Sequence, residues 1–270
     1  MPDTGLDASG VFMGLNRRAF LKVVATAGAA GIAGSGGLLL REDARRRQAA
    51  AAEAHLAPLR EISQPGLVRP PGALPGKAFR ANCSGCGACL NVCHTMGYDA
   101  IAMAGPRRGT AAATPYIKDM RDFPCTLCME CPSQCPTGAL REVAKPEVKM
   151  GIALIDLKLC FGWNGDVCLS CSKACPLGAS VFDFYYGPWG NQPYINEKCV
   201  GCGLCVKYCP LGGSAVKVVT PEIYAGLAGD YRAEMENLLH ISGDDRYELV
   251  YGRNLPEIMA RERLVEREYR

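Results

Sequence analysis

Sixteen cysteines of this 270-residue chain fall into four runs of four, and no other feature restricts its fold as strongly. The runs are Cys83-x2-Cys86-x2-Cys89-x3-Cys93, Cys125-x2-Cys128-x2-Cys131-x3-Cys135-Pro136, Cys160-x7-Cys168-x2-Cys171-x3-Cys175-Pro176 and Cys199-x2-Cys202-x2-Cys205-x3-Cys209-Pro210. Three of them match the bacterial ferredoxin run, whose fourth cysteine ligates the other cluster of a pair; the third stretches its first spacing to seven residues. With 7 Phe and 2 Trp in the whole chain, aromatic packing cannot build the core, so bound metal or crosslinks must supply part of it.

Disulfides would be cramped between cysteines three residues apart. Zinc sites are built from separated pairs and have no use for a third thiol in the same loop. Sixteen thiolates at four per cubane give four [4Fe-4S] clusters with none left over. First cysteines 42, 35 and 39 residues apart mark an internal repeat of four units. Short β-like stretches lead in (116–118, 152–156, 193–195) and out (100–102, 181–185, 215–219). The predicted fold is α+β: two dicluster, bacterial-ferredoxin-like modules in one polyferredoxin domain with a cluster-dominated core.

Gly85 and Gly87 in unit one recur as Gly201 and Gly203 in unit four, where they would let backbone N–H groups approach cluster sulfur. Units two and three have Leu127 and Met129, or Ser170 and Ser172, instead. This similarity favours a nested arrangement, one with four and two with three; consecutive pairing is the alternative. His94 replaces the proline that follows the other runs, either tuning a potential or as a tolerated surface residue. The stretch with Phe161, Trp163 and Asp166 is a partner contact or a longer loop, and Phe182, Phe184, Tyr185, Tyr186 and Trp189 would shield a cluster from water.

At the other end, Asn16-Arg17-Arg18-Ala19-Phe20-Leu21-Lys22 precedes 18 uncharged residues, Val23 to Leu40, of which five are Gly and five Ala. The pattern resembles a twin-arginine export signal, with Arg17 and Arg18 as its pair, and is too weakly apolar for a strong membrane span. Export of a folded, cofactor-loaded protein to the periplasm follows, with an uncleaved N-terminus as a membrane anchor in the alternative. The expected divisions are 1–40 signal or anchor, 41–78 Ala- then Pro-rich linker, 79–219 four-cluster domain and 220–270 charged helical extension. In that extension Asn254 would cap a helix entered through Pro256, serving as a docking helix or lying on its own domain.

Neither G-x-G-x-x-G nor G-x-x-x-x-G-K-[ST] occurs, and only three His are present, so no nucleotide site or nucleophile–base arrangement is indicated. A net charge of +3 argues against nucleic-acid binding. It also counts each cysteine as a neutral thiol: four oxidised cubanes at −2 each would take +3 to −5.

Beyond the cysteines, Arg69-Pro70-Pro71-Gly72-Ala73 with Phe79, Thr114-Pro115-Tyr116, and Met150-Gly151-Ile152-Ala153 before the stretched unit resemble the NapG/MauM ferredoxin-type family over roughly residues 16–220. That resemblance implies an exported four-cluster electron carrier, not an enzyme. Its members take electrons from a membrane quinol-oxidising partner of the NapH/MauN type and pass them to a periplasmic redox enzyme or cytochrome, in nitrate reduction or methylamine oxidation. The alternatives are an iron–sulfur subunit of a molybdenum-type oxidoreductase and, in another class, a cluster-maturation protein.

Overall fold

A computed structural model describes residues 66–261 apart from Pro188; the twin-arginine stretch, most of the expected linker and the last nine residues lie outside the described residues. No described helix is long and apolar enough to cross a membrane.

Regular structure is short because the cysteine loops interrupt it. Helices α1 (Gly76–Asn82) and α2 (Ala88–Thr95) precede strand β1 (Ile101–Met103), which pairs antiparallel with β2 (Pro115–Ile117), Ile101 opposite Ile117. After the turn α3 (Glu130–Ser133), an isolated bridge from Ala73 to Leu140 ties the end of the first half to its beginning. The second half repeats this plan with longer strands. β3 (Ile152–Ile155) pairs with β6 (Val216–Val219), Ile152 opposite Val219, and encloses α4 (Ser170–Lys173), the hairpin of β4 (Phe182–Gly187) and β5 (Gly190–Ile195), and α5 (Leu204–Lys207). Each half is thus an outer pairing around an inner hairpin, with a cysteine loop before and after the hairpin.

The outer strands of the second half, rich in β-branched residues, are buried except at Ile152 and Lys217, which are half-buried; Leu154, Ile155 and Val219 are at most 1% exposed. Packing in the first half begins before position 79, the boundary expected from composition. Val68 is buried, its carbonyl accepts the Ile117 N–H at 2.8 Å, and a Cβ at Gly72 would stand 1.9 Å from the Arg141 carbonyl oxygen. Residues 66–78 belong to the first module because the Pro-Pro-Gly turn is pressed onto it.

Beyond β6, Pro221 occupies the first turn of α6 (Pro221–His240), where its missing N–H costs nothing. Ser242 caps α7 (Gly243–Leu249) by accepting the Asp245 N–H, and five π-helical residues, Val250–Asn254, lead directly into α8 (Leu255–Arg261). The expected cap at Asn254 is therefore not formed. Asn254 is buried and donates from Nδ2 to Asn164 Oδ1 at 2.7 Å. The extension lies on the second module: Tyr231 stacks on Tyr194 and its hydroxyl accepts the Ile155 N–H at 3.2 Å, while Lys158 and Glu257 pair at 2.7 Å. Tyr224, Tyr231, Met235, Val250 and Ile258 of the extension are buried on its own chain, while Tyr247, Tyr251 and Met259 stay exposed.

Candidate metal centres

Four recesses are each bordered by four thiols. Recess A has Cys83, Cys86, Cys89 and Cys135; recess B has Cys125, Cys128, Cys131 and Cys93. Recess C has Cys199, Cys202, Cys205 and Cys175; recess D has Cys160, Cys168, Cys171 and Cys209. In every case three cysteines come from one run and the fourth from its neighbour in sequence. Pairing is consecutive, one with two and three with four, and the nested arrangement is overturned.

Local geometry explains the exchange. Cys89 and Cys93 are four residues apart on α2, about 6 Å along its axis, so one helical turn carries one thiol to A and the other to B. The turn at α3 does the reverse, with Cys131 at B and Cys135 at A. In the second module Cys171 and Cys175 serve D and C, and Cys205 and Cys209 serve C and D. The modules meet at B and C, where the Cys125 N–H donates to the Cys202 carbonyl at 2.9 Å and Arg121 Nη1 donates to the Val206 and Cys209 carbonyls at 3.2 and 3.1 Å. The recesses therefore follow one another in the order A, B, C, D.

The glycines that suggested nesting have local causes. Gly85, Gly87, Gly201 and Gly203 all have positive φ, but so do Leu127 (57°) and Met129 (67°), so unit two adopts the same backbone without glycine. Glycine is demanded where something crowds the missing side chain: a Cβ at Gly85 would lie 2.7 Å from the Ala113 carbonyl oxygen, and one at Gly201 2.6 Å from the Gly151 nitrogen. Aligned on its ligand-type positions, unit three places Leu169 after Cys168, with φ −121°, because its longer insertion reroutes the loop.

The chemistry of the donor set fits a polynuclear iron–sulfur core. Burial pushes the Cys125 and Cys171 thiols up to about 12, and those of Cys89 and Cys202 to about 11, and neighbouring thiols push the same way. Cys131, Cys160, Cys199 and Cys205 are raised for the same first reason, burial. Thiolates become stable there only against bound positive charge. Each quartet takes three thiols from one run and the fourth from its neighbour, the donor set of a 4Fe-4S core, whereas zinc sites are built from separated pairs.

Backbone donors already face the sulfurs. Ala100, Leu140, Ala153 and Ala215 donate N–H to Cys93, Cys135, Cys199 and Cys209 Sγ at 3.3 to 3.4 Å. At Cys135 burial acts upward, and the Leu140 N–H with the Thr137 hydroxyl more than offsets it, leaving this thiol lowered. Thr126 borders recess B with its hydroxyl buried and without a hydrogen-bond partner in the protein. A buried donor without an acceptor needs a reason, and a sulfide-bearing core at B supplies one.

The departures from the pattern resolve as follows. His94 is exposed, pairs through Nδ1 with Asp99 Oδ1 at 2.6 Å and borders none of the four recesses. Trp163 is 2% exposed, donates from Nε1 to the Pro193 carbonyl at 2.9 Å and is sealed by the extension, so the insertion is an internal anchor. Of the aromatic residues expected to shield unit three, Phe182 borders C, while Tyr186 is 81% exposed. No motif marks Arg121 and Arg246, whose carbonyl partners are distant in sequence or in a neighbouring helix, or Thr126, whose buried hydroxyl has no partner in the protein.

A chain with consecutive paired cysteine modules of this geometry is a ferredoxin-type 4Fe-4S protein. The 4Fe-4S dicluster domain family matches residues 82–139 and the 4Fe-4S binding domain family matches residues 193–212. Among curated relatives, the ferredoxin-type protein NapG of Haemophilus influenzae is 34% identical over 80% of this chain and 75% of its own length. The methylamine utilization ferredoxin-type protein MauM of Methylobacillus flagellatus is 33% identical over 60% and 72%, and NapG of Escherichia coli 33% over 61% and 75%. The chain belongs to the NapG/MauM ferredoxin-type family. No solved structure matches it.

Proposed function

We propose that this chain is a periplasmic electron carrier holding four [4Fe-4S] clusters, one per thiol quartet, exported through the Arg17-Arg18 signal. It would carry electrons between a quinol-linked membrane partner of the NapH/MauN type and a periplasmic redox enzyme or cytochrome. The observation that carries this reading is the reciprocal exchange of fourth cysteines, which sets four equivalent quartets in one row. When bound, such clusters supply one-electron redox chemistry over a potential range that the protein sets. The chain's own part is to hold the thiolates, exclude water with Phe79, Leu140, Ile155 and Phe182 at the recess walls, and aim N–H groups at Cys93, Cys135, Cys199 and Cys209 sulfur.

The test is iron and sulfide content after anaerobic reconstitution, combined with paired cysteine variants. Cys93→Ala and Cys125→Ala should each remove the same cluster, so the double variant loses no more iron than either single one. Cys93→Ala with Cys199→Ala should lose two clusters. Fewer than four clusters in the parent protein, or additive loss for Cys93 with Cys125, would contradict the assignment.

A further inference from the structure

Recesses A and D are the two ends of the row, and they are finished differently. At D, Cys160, Cys171 and Cys209 are buried, and the insertion between Cys160 and Cys168 is anchored to the C-terminal extension through Trp163 and Arg246. At A, Cys83 and Cys135 are half-buried, and Cys86 is the one exposed cysteine of the sixteen. Small residues, Ser84, Gly85 and Gly87, flank it and leave the thiol edge open to a partner's close approach.

Charge is divided in the same way. From Gly66 to Lys118 the sequence has six basic residues, Arg69, Lys77, Arg80, Arg107, Arg108 and Lys118, against one acid, Asp99, which is held by His94. Lys77 and Arg80 are exposed on α1, which runs into Cys83 and puts Phe79 on the wall of A. Arg107 and Arg108 are exposed on the connection between β1 and β2, whose ends Met103 and Pro115 also border A. From Pro221 to Arg261, on the second module, acids outnumber bases eight to four.

We propose that the face of the first module around Cys86 is the docking surface for an acidic electron-transfer protein, and that A is the port through which it exchanges electrons with the row. The inference rests on the carrier reading above. An apolar centre with the ligand edge at its middle and a single-sign rim is the form that speeds and orients a transient encounter without holding it tightly. An anionic bilayer would feel the same charges but gains nothing from the open edge at Cys86, so a protein partner is favoured over lipid.

The experiment uses reconstituted, reduced full-length protein in stopped flow against two probes, an acidic b-type cytochrome domain and a basic c-type cytochrome. Electron transfer to the acidic probe should be at least about tenfold faster at low ionic strength than at 0.5 M salt, where the screening length falls to a few ångströms. The variant Lys77→Glu/Arg80→Glu/Arg107→Glu should abolish that advantage and speed transfer to the basic probe, a gain that misfolding cannot produce. Arg232→Glu/Arg253→Glu, two exposed reversals in the extension, should leave the acidic-probe rate within about twofold. Equal, salt-insensitive rates with both probes, or no response to the triple reversal, would overturn the docking surface and leave the carrier reading intact. Failure of the reduced clusters to pass electrons to either probe would instead sink the carrier reading. Loss of binding to phosphatidylglycerol vesicles in the triple variant, with unchanged transfer rates, would reassign the patch to membrane contact, and charge-dependent self-association in ultracentrifugation would reassign it to a second copy of this chain.

Discussion

Arg246 is the residue that ties the C-terminal extension to the insertion between Cys160 and Cys168. It is 4% exposed; Nη1 donates to the Leu238 carbonyl and Nη2 to the Trp163 carbonyl at 3.2 Å, and its guanidinium lies 5.7 Å from the Trp163 ring and 5.9 Å from the Trp189 ring. Burial holds its pKa below the ordinary arginine value, so part of what these contacts provide offsets desolvation. Removing the side chain strands two carbonyls at about 1–3 kcal/mol each and forfeits ring contacts worth about 0.5–2 kcal/mol, while refunding the desolvation cost. The expected net loss for Arg246→Ala is about 2–4 kcal/mol. Because α7 reaches Trp163 through this residue, the loss should be local first: α6 to α8 open more often, and the insertion between Cys160 and Cys168 loses its cover.

Hydrogen exchange on the holo-protein would show lost protection in residues 221–261 while β1 and β2 keep theirs, and a chelator would draw iron faster from one cluster of four. Two further substitutions separate the causes. Arg246→Lys keeps the charge without the planar fork and should be no better than alanine. Arg246→Met keeps much of the volume without the charge. If Arg246→Met proves as stable as the parent, with unchanged protection, the carbonyl bonds are not what holds the extension down and the reasoning fails.

Other outcomes follow from the same geometry. Thr126→Val should lower the potential of the cluster at B by about 20–60 mV, the equivalent of about 0.5–1.4 kcal/mol for one electron, in EPR-monitored titration, with Thr126→Ser nearly restoring it. Gly87→Ala should cost about 1–2 kcal/mol for its left-handed φ alone, because nothing stands within 4 Å of its Cβ, whereas Gly201→Ala should prevent assembly of the second module, with its Cβ 2.6–2.7 Å from the Gly151 backbone; thermal unfolding separates the two. Glu234 is raised to about 7, first by burial and then by Asp156. The native state thus holds a proton there that the unfolded chain has released above its ordinary carboxylate pKa, and stability falls as pH rises toward 7. Glu234→Gln should therefore add about 1–3 kcal/mol at pH 8 and nothing at pH 4, by urea denaturation at both values.

That the thiols of each run gather at one recess was legible in the sequence because three thiols within seven residues constrain a loop whatever surrounds it. The short strands were legible for a related reason: 152–156 and 215–219 read as β segments by composition, and they pair with each other across the second module. The extension was harder, since α6 is amphipathic only against a surface made of Tyr194, Ile155 and the insertion, none of which is its neighbour in sequence. Thr126 and Arg246 carry no motif at all. Their roles come from what the fold leaves unpaired around them.

The pairing of the cysteine runs shows where composition misleads. Shared glycine is not kinship between runs one and four: Ala113 crosses at Gly85, Gly151 at Gly201 and Met120 at Gly203, while nothing crosses Gly87, which has only its positive φ. Leu127 and Met129 bear the same left-handed backbone at a cost of about 1–2 kcal/mol each. The informative constraint was connectivity. A fourth cysteine one helical turn after the third must reach a recess beside its own, and the β1–β2 and β4–β5 hairpins each return the chain to that place before the next run begins. Nesting would have required runs two and three to close as an inserted module between runs one and four. Consecutive exchange needs only a hairpin, which is why each module can close on its own and why B and C meet through backbone, Cys125 to Cys202, rather than through a shared helical turn.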